Sequence, residues 1–287
     1  MNRKTKLDYE DCLKLALDLA KKSGKHLLKK QKNLSQLKIT TKLAQGIASN
    51  ADVESEKIII NGIKKKYPTH QILAEESAYK EFDGEMNKYK FLSKQEWVWI
   101  IDPLDGTNNF LSGLDYFAVC ISLVHFGEPV VGVVFRPSTG ECFFATKGKG
   151  SFVCNLNSDT KARKLRVNVN SKKLKDSLLV TGFTTEKGPV FEQEFDLFKM
   201  MIGKSRGIRR MGSAALDLCY VSSGIFDCFW ERGLASWDMA AAGLICQESG
   251  IKVSDYQGQK FHPFVETILA ARSSIHREVL FLFRKSL

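Results

Sequence analysis

Trp97-Val-Trp-Ile-Ile-Asp-Pro-Leu-Asp-Gly-Thr-Asn-Asn-Phe110 is the stretch whose reading decides the fold. Trp97 to Ile101 are five apolar residues in a row, the pattern of a strand buried on both faces, since a wetted face would show a polar residue at every second position. Asp102 and Asp105 follow. Pro103 removes a ladder donor and fixes φ, so the chain turns between them and can aim both carboxylates, with the Leu104 carbonyl, into one small volume. Gly106 and Thr107 permit a tight backbone and a helix start whose free N–H groups form an anion cradle. The same residues are also ordinary turn composition. Burial of the preceding strand favours a site, because a carboxylate at the end of a core strand costs desolvation unless it is paired or metal-bound.

Working outward, Leu13, Leu17, Ala20, Gly24, Leu27 and Leu28 lie on one stripe of a helix over 8–31. Leu37 to Lys42 read as a short strand and Gln45-Gly46 as a break. Lys42 can face an anion, although a lone lysine is usually just exposed. A helix begins near Asn50 to Asp52 and ends before Pro68; Asp52 in its first turn is explained by capping alone. Gln71 to Ala74 form a strand ending on Glu75-Glu76-Ser77, which repeats the logic of Asp102. Tyr79 to Glu96 are polar and lysine-rich and read as a mobile connection or lid. Strands over Tyr116–His125 and Pro129–Phe135, joined through Gly127-Glu128, then over Glu141–Thr146 and Ser151–Cys154, imply an antiparallel sheet.

Polar residues dominate 155–175, and a loose boundary there divides an N-terminal half (1–160) from a C-terminal half (161–287). The second half offers strands at Ser177–Gly182, Gly207–Arg210, Phe226–Trp230, Ile251–Ser254 and Thr267–Ala271. Its helices cover Phe191–Met201, Ser213–Val221, the small-residue run from Asp238, and Ser274–Phe283. Gly212-Ser213 before a helix is either an anion site or an ordinary N-cap. Asp238 either caps its helix or serves as a ligand.

The chain has 287 residues, 44% hydrophobic and 26% charged, the composition of a globular protein able to bury a core without staples. No secretory signal is visible, and the uncharged run Tyr116–Gly127 is far shorter than the ~20 residues that span a bilayer. A cytoplasmic protein is expected. Seven scattered cysteines without a Cys-x-x-Cys pair suggest small buried thiols in a reducing compartment, and scattered histidines argue against zinc. The net charge of +11 sits in lysine runs without interleaved aromatics, which favours a solvated basic surface over a nucleic-acid footprint.

Taken together, Glu75, Asp102, Asp105 and Asp238 all stand at strand ends or helix starts in apolar surroundings. Four such acids suit two or three magnesium ions. Here the sequence resembles the inositol monophosphatase family. Leu-Ala-Glu-Glu-Ser (73–77), Trp-Ile-Ile-Asp-Pro-Leu-Asp-Gly-Thr-Asn-Asn-Phe (99–110) and Trp-Asp-Met-Ala-Ala-Ala-Gly (237–243) look like its three signature segments in order. The resemblance implies a layered α/β/α/β/α sandwich of the sugar phosphatase type, an α/β (α+β) fold. It also implies magnesium dependence, lithium sensitivity and a homodimer.

By position, Glu75, Asp102, the Leu104 carbonyl, Asp105 and Asp238 would bind metal. Glu75, Asp52 and Thr107 would orient and deprotonate a metal-bound water. The Gly106 and Thr107 amides would hold phosphate, with Asp105, Asp238 and Lys42 beside it. Gly212, Ser213, Ala214 and Glu231 would line the pocket for the alcohol. Asn108 departs from a common second threonine, and 43–47 lack an acid common before Asp52. Arg232 could bias the pocket toward a second anionic group. The implied activity is hydrolysis of a small phosphorylated polyol, inositol monophosphate first. A phosphorylated nucleotide, histidinol phosphate or fructose bisphosphate is the alternative, and a basic nucleic-acid or protein-binding module the non-enzymatic one. Other chemistries lack parts: there is no Gly-x-Ser-x-Gly elbow, and Phe198 stands where a P-loop ending in Gly203-Lys204-Ser205 needs glycine. Two residues separate Asp102 from Asp105, where an Asp-x-Asp-Gly-Thr phosphatase has one.

Overall fold

The computed structural model describes residues 7–42, 46–167, 172–183 and 188–286. Helix α1 (Tyr9–Gln31) starts where the Asp8 carboxylate accepts the Glu10 N–H at 2.8 Å, and it buries Ala16, Leu19, Ala20 and Leu27. Strands β1 (Ile39–Lys42) and β2 (Gly46–Ser49) pair antiparallel, so Gly46 opens a strand where the sequence suggested only a break. Helix α2 (Asn50–Lys66) ends ahead of Pro68 and packs Ile59 and Ile63 into the core shared with α1.

Next come β3 (Gln71–Ala74), α3 (Glu75–Phe82) and α4 (Met86–Tyr89). These overturn the expectation of a lid over Tyr79–Glu96. Tyr89 and Leu92 are buried with Trp237 and Phe264, and two apolar anchors suffice to pin a segment whose composition is otherwise polar.

Strand β4 (Trp97–Asp105) runs parallel to β3 and antiparallel to β5 (Ala118–His125), with α5 (Thr107–Leu111) between β4 and β5. Pro103 does not end β4. Pairing holds to Asp102↔Cys120, slips, and resumes at Asp105↔Ala118, so the proline sits in a bulge. β6 (Glu128–Arg136), β7 (Glu141–Thr146), β8 (Gly150–Asn155) and β9 (Arg163–Lys164) complete a seven-stranded sheet in the order β3-β4-β5-β6-β7-β8-β9. The β5–β6 turn is Phe126-Gly127, both at positive φ (46° and 78°), one residue earlier than the sequence suggested.

The later chain supplies β10 (Leu178–Thr181), α6 (Pro189–Lys204), β11 (Gly207–Arg209), α7 (Ala214–Ser222) and β12 (Cys228–Arg232). α8 (Ser236–Ser249), β13 (Lys252–Ser254), β14 (Thr267–Ala271) and α9 (Ser273–Ser286) follow. The strands form a second sheet in the order β11-β10-β12-β14-β13. β12 starts at Cys228 and not at Phe226, because the buried Asp227 carboxylate turns aside to take the Leu178 N–H at 2.9 Å and Lys172 at 2.6 Å.

The layers alternate. α1 and α2 cover one face of the larger sheet, and α7 and α8 lie between the sheets. α6 and α9 cover the outer face of the smaller sheet with Leu197, Met201, Val279 and Phe283. α8 can lie close because its inner face is small: a Cβ on Gly132 of β6 would stand 2.7 Å from the Ala241 carbonyl. Among the described residues no helix is long and apolar enough to cross a membrane.

Candidate active site

The bulge in β4 is built by its neighbours. The Leu104 N–H donates to Asp102 at 2.9 Å, Ser55 of α2 donates to the Pro103 carbonyl at 2.8 Å, and Ser23 of α1 lies 2.5 Å from the Ser55 hydroxyl. Asp102 and Asp105 are buried at the end of the hydrophobic run, as its position in the sheet requires. Asp238, near the start of α8, meets them: the three carboxyls present oxygens all within 4.8 Å of one another. One Asp238 oxygen accepts the Ala235 N–H at 2.7 Å, so this residue both caps its helix and joins the cluster. Glu75 is the first residue after β3, and the register Ala74↔Ile101 sets it beside Asp102; its charge is felt by both Asp102 and Asp238.

This crowding is expensive for anions. Burial raises the Asp102 carboxyl well above its ordinary range, and the charges of Glu75, Asp105 and Asp238 add to it. Asp238 is raised by burial and then by Asp105 and Glu75. Asp105 is pushed up by burial only to about 6, because the Ser213 hydroxyl and the first amides of α7 oppose it. Ser213 donates to Asp105, and the Ala215 N–H reaches the same oxygen at 3.0 Å. Ser213 therefore serves the aspartate with its side chain, with no side-chain cap on its own helix. A cluster of buried, mutually repelling, all-oxygen donors fits a hard divalent cation.

Asp52 lies fully buried at the third position of α2. One of its oxygens accepts the Ser49 N–H at 2.8 Å and the Ser49 hydroxyl at 2.7 Å. The other lies 3.0 Å from the Thr107 hydroxyl, so capping accounts for half of this carboxylate only. Thr107 also stands 3.0 Å from the Leu104 carbonyl. Gly106 is wedged: at φ 91°, its missing Cβ would meet the carbonyls of Tyr116 at 3.0 Å and Gly212 at 3.1 Å. Asn109 ties this junction, donating to the Tyr116 and Met211 carbonyls at 2.8 Å each.

Glu231, at the end of β12, lies against the Gly182 backbone and has its carboxyl raised by burial and by Asp238 and Asp217, with Arg210 opposing. Ser213 and the Ala214 amide are at Asp105, and Gly212 lies against Asn109. Arg232 does not join them. It pairs with the buried Glu194 at 2.8 Å and lies over the Tyr256 ring, because successive residues of a strand face opposite ways. The expected bias toward a second anion has no support in this placement. The Lys42 side chain lies outside the described residues.

Sequence reasoning missed Glu56. Buried on α2, it accepts the Glu76 N–H at 2.7 Å and the Ser77 hydroxyl at 2.5 Å, fixing the start of α3 where Glu75 stands. The signal was available: Asp52, Ser55 and Glu56 fall on the buried stripe of α2 with Ile59 and Ile63, and polar residues there need partners.

The sequence profile of the inositol monophosphatase family matches residues 8–286. The Pseudomonas aeruginosa protein named Nus factor SuhB is 37% identical over 256 residues, covering 88% of each chain. The Rhizobium meliloti inositol-1-monophosphatase is 40% identical over 238 residues, covering 83% of this chain and 82% of that one. Among solved structures, the extragenic suppressor protein suhB of Bartonella henselae superposes with a TM-score of 0.83 at 32% identity, covering 96% of this chain and all (100%) of that one. The chain belongs to the inositol monophosphatase family.

Proposed function

We propose that this chain is a cytoplasmic, magnesium-dependent phosphoric monoester hydrolase acting on inositol monophosphate. The observation that carries the reading is the meeting of Asp102, Asp105 and Asp238 oxygens within 4.8 Å, beside the Thr107–Asp52 pair. Asp102, Asp105, Asp238, Glu75 and the Leu104 carbonyl would hold two or three magnesium ions. Magnesium bound there acidifies water and neutralises charge on the leaving alcohol oxygen.

The chain's own residues do the rest. The Thr107 hydroxyl has one hydrogen; given to Asp52, it leaves lone pairs to accept from the attacking water, and Glu75 helps to orient and deprotonate that water. The Gly106 and Thr107 amides hold the phosphoryl oxygens in line with the attack, so positioning and charge stabilisation suffice without a covalent intermediate. Glu231, Gly212, Ser213 and Ala214 receive the polyol, with Asp105 and Asp238 at its phosphate end. Lithium inhibition and a homodimer belong to the same reading. Phosphate release from inositol monophosphate, measured with and without magnesium, tests it; Asp105→Asn retaining full activity would refute it. A panel with nucleotide, histidinol and fructose phosphates tests the substrate, and Glu231→Ala should affect the inositol ester most.

A second reading rests on relatives that carry the name Nus factor and on the +11 charge: a binding protein of the same fold. Salt-dependent RNA binding without magnesium-stimulated turnover would select it.

A further inference from the structure

Cys142 of β7 and Cys154 of β8 are direct partners across an antiparallel pair, in the register Cys142↔Cys154. Such partners place their Cα atoms about 4.5–5.5 Å apart, inside the range of about 4.4–6.8 Å that a disulfide requires. Both side chains lie on the same face of the sheet, the Cys142 sulfur 3.9 Å from the Phe143 carbonyl. Of the seven cysteines, six are buried and Cys154 alone is half-exposed. Its thiol lies on the face packed toward α1 and α2 with Cys142, and Val153, which follows the alternation, faces the other way.

We propose that Cys154 and Cys142 are a thiol-modification site, at which a low-molecular-weight disulfide is reduced and the pair closes to an intramolecular disulfide. Cys154 is the accessible thiol of the two and burial raises the Cys142 thiol, so attack begins at Cys154. Its thiolate attacks one sulfur of the reagent. The reagent's S–S bond breaks, a mixed disulfide forms on Cys154, and one reagent thiolate leaves and is protonated. The Cys142 thiol then loses its proton to solvent and attacks the Cys154 sulfur, and the second reagent thiolate leaves. Two protein thiols are oxidised and one disulfide reduced to two thiols.

The folded protein is incubated with oxidised glutathione, blocked with an alkylating agent, digested and mapped by mass spectrometry. The expected product is a Cys142–Cys154 linked peptide, the chain lighter by two hydrogens, with the other five cysteines alkylated. Cys142→Ala should trap glutathione on Cys154, and Cys154→Ser should abolish both products. A stable mixed disulfide on Cys154 in the unsubstituted chain, no reaction at Cys154, or faster closure at another cysteine overturns the proposal.

Discussion

The Thr107 hydroxyl lies 3.0 Å from Asp52, a residue 55 positions earlier in the chain. It joins the first turn of α2 to the start of α5, and it gives Asp52 work beyond its own helix. If the pair handles the proton of the attacking water, Thr107→Val lowers kcat by about 100-fold or more with KM little changed. Steady-state kinetics at saturating magnesium check this. Asp52→Asn should resemble it and not add to it, since the two act as a unit.

Asp105, held at about 6 against an ordinary 3.8, ties folding to pH. The folded chain keeps this proton where the unfolded chain has lost it, so the contribution is full below the unfolded value and disappears as pH rises through about 6. Its size is about 3 kcal/mol, and Asp102 and Asp238 shift in the same direction. Metal-free protein should therefore melt higher near pH 5 than near pH 7, a window above the range in which Glu128, held at about 2 by Lys147 and Lys260, acts oppositely. Thermal melts in chelator check it: Asp105→Asn should flatten the profile. Magnesium should raise the melting temperature more at pH 7 than at pH 5.

Replacing Gly132 by Ala sets a methyl 2.7 Å from the Ala241 carbonyl, so β6 and α8 must separate. The expected cost is about 1–3 kcal/mol in denaturant unfolding. Since α8 carries Asp238, the half-saturating magnesium concentration should rise as well.

Arg232→Met leaves Glu194 buried without its cation, at a cost of about 3 kcal/mol. Substrate preference should not change, because the side chain faces away from Glu231. Adding Glu194→Gln should recover part of the stability, measured by the same unfolding experiment.

Glu56→Gln keeps one acceptor for the Glu76 N–H and the Ser77 hydroxyl where the carboxylate offered two. The chain should fold, with kcat down about 10-fold or more if Glu75 is thereby misaligned.

The acids of β4 and the one just after β3 were legible because local constraints announce them: a strand with no polar face, a proline, a glycine, and the change to a helix. The bulge at Pro103 was legible in kind but not in extent, since re-pairing of Asp105 with Ala118 depends on β5. Packing of the segment around Tyr89 and Leu92 was hidden, because two anchors among polar residues leave no periodic signal and their partner Trp237 is far away in sequence. The direction of Arg232 should have been read: it follows Glu231 in a strand, and neighbours in a strand cannot face one pocket together.

Asp238 reaches Asp102 and Asp105 only when the helix Ser236–Ser249 has docked against the larger sheet. During synthesis the first two aspartates emerge long before the third, with all of the second sheet still to come. A nascent chain thus cannot complete the cluster until the Ser236–Ser249 segment has left the ribosome, and a chain stopped short of Ser236 lacks the third carboxylate.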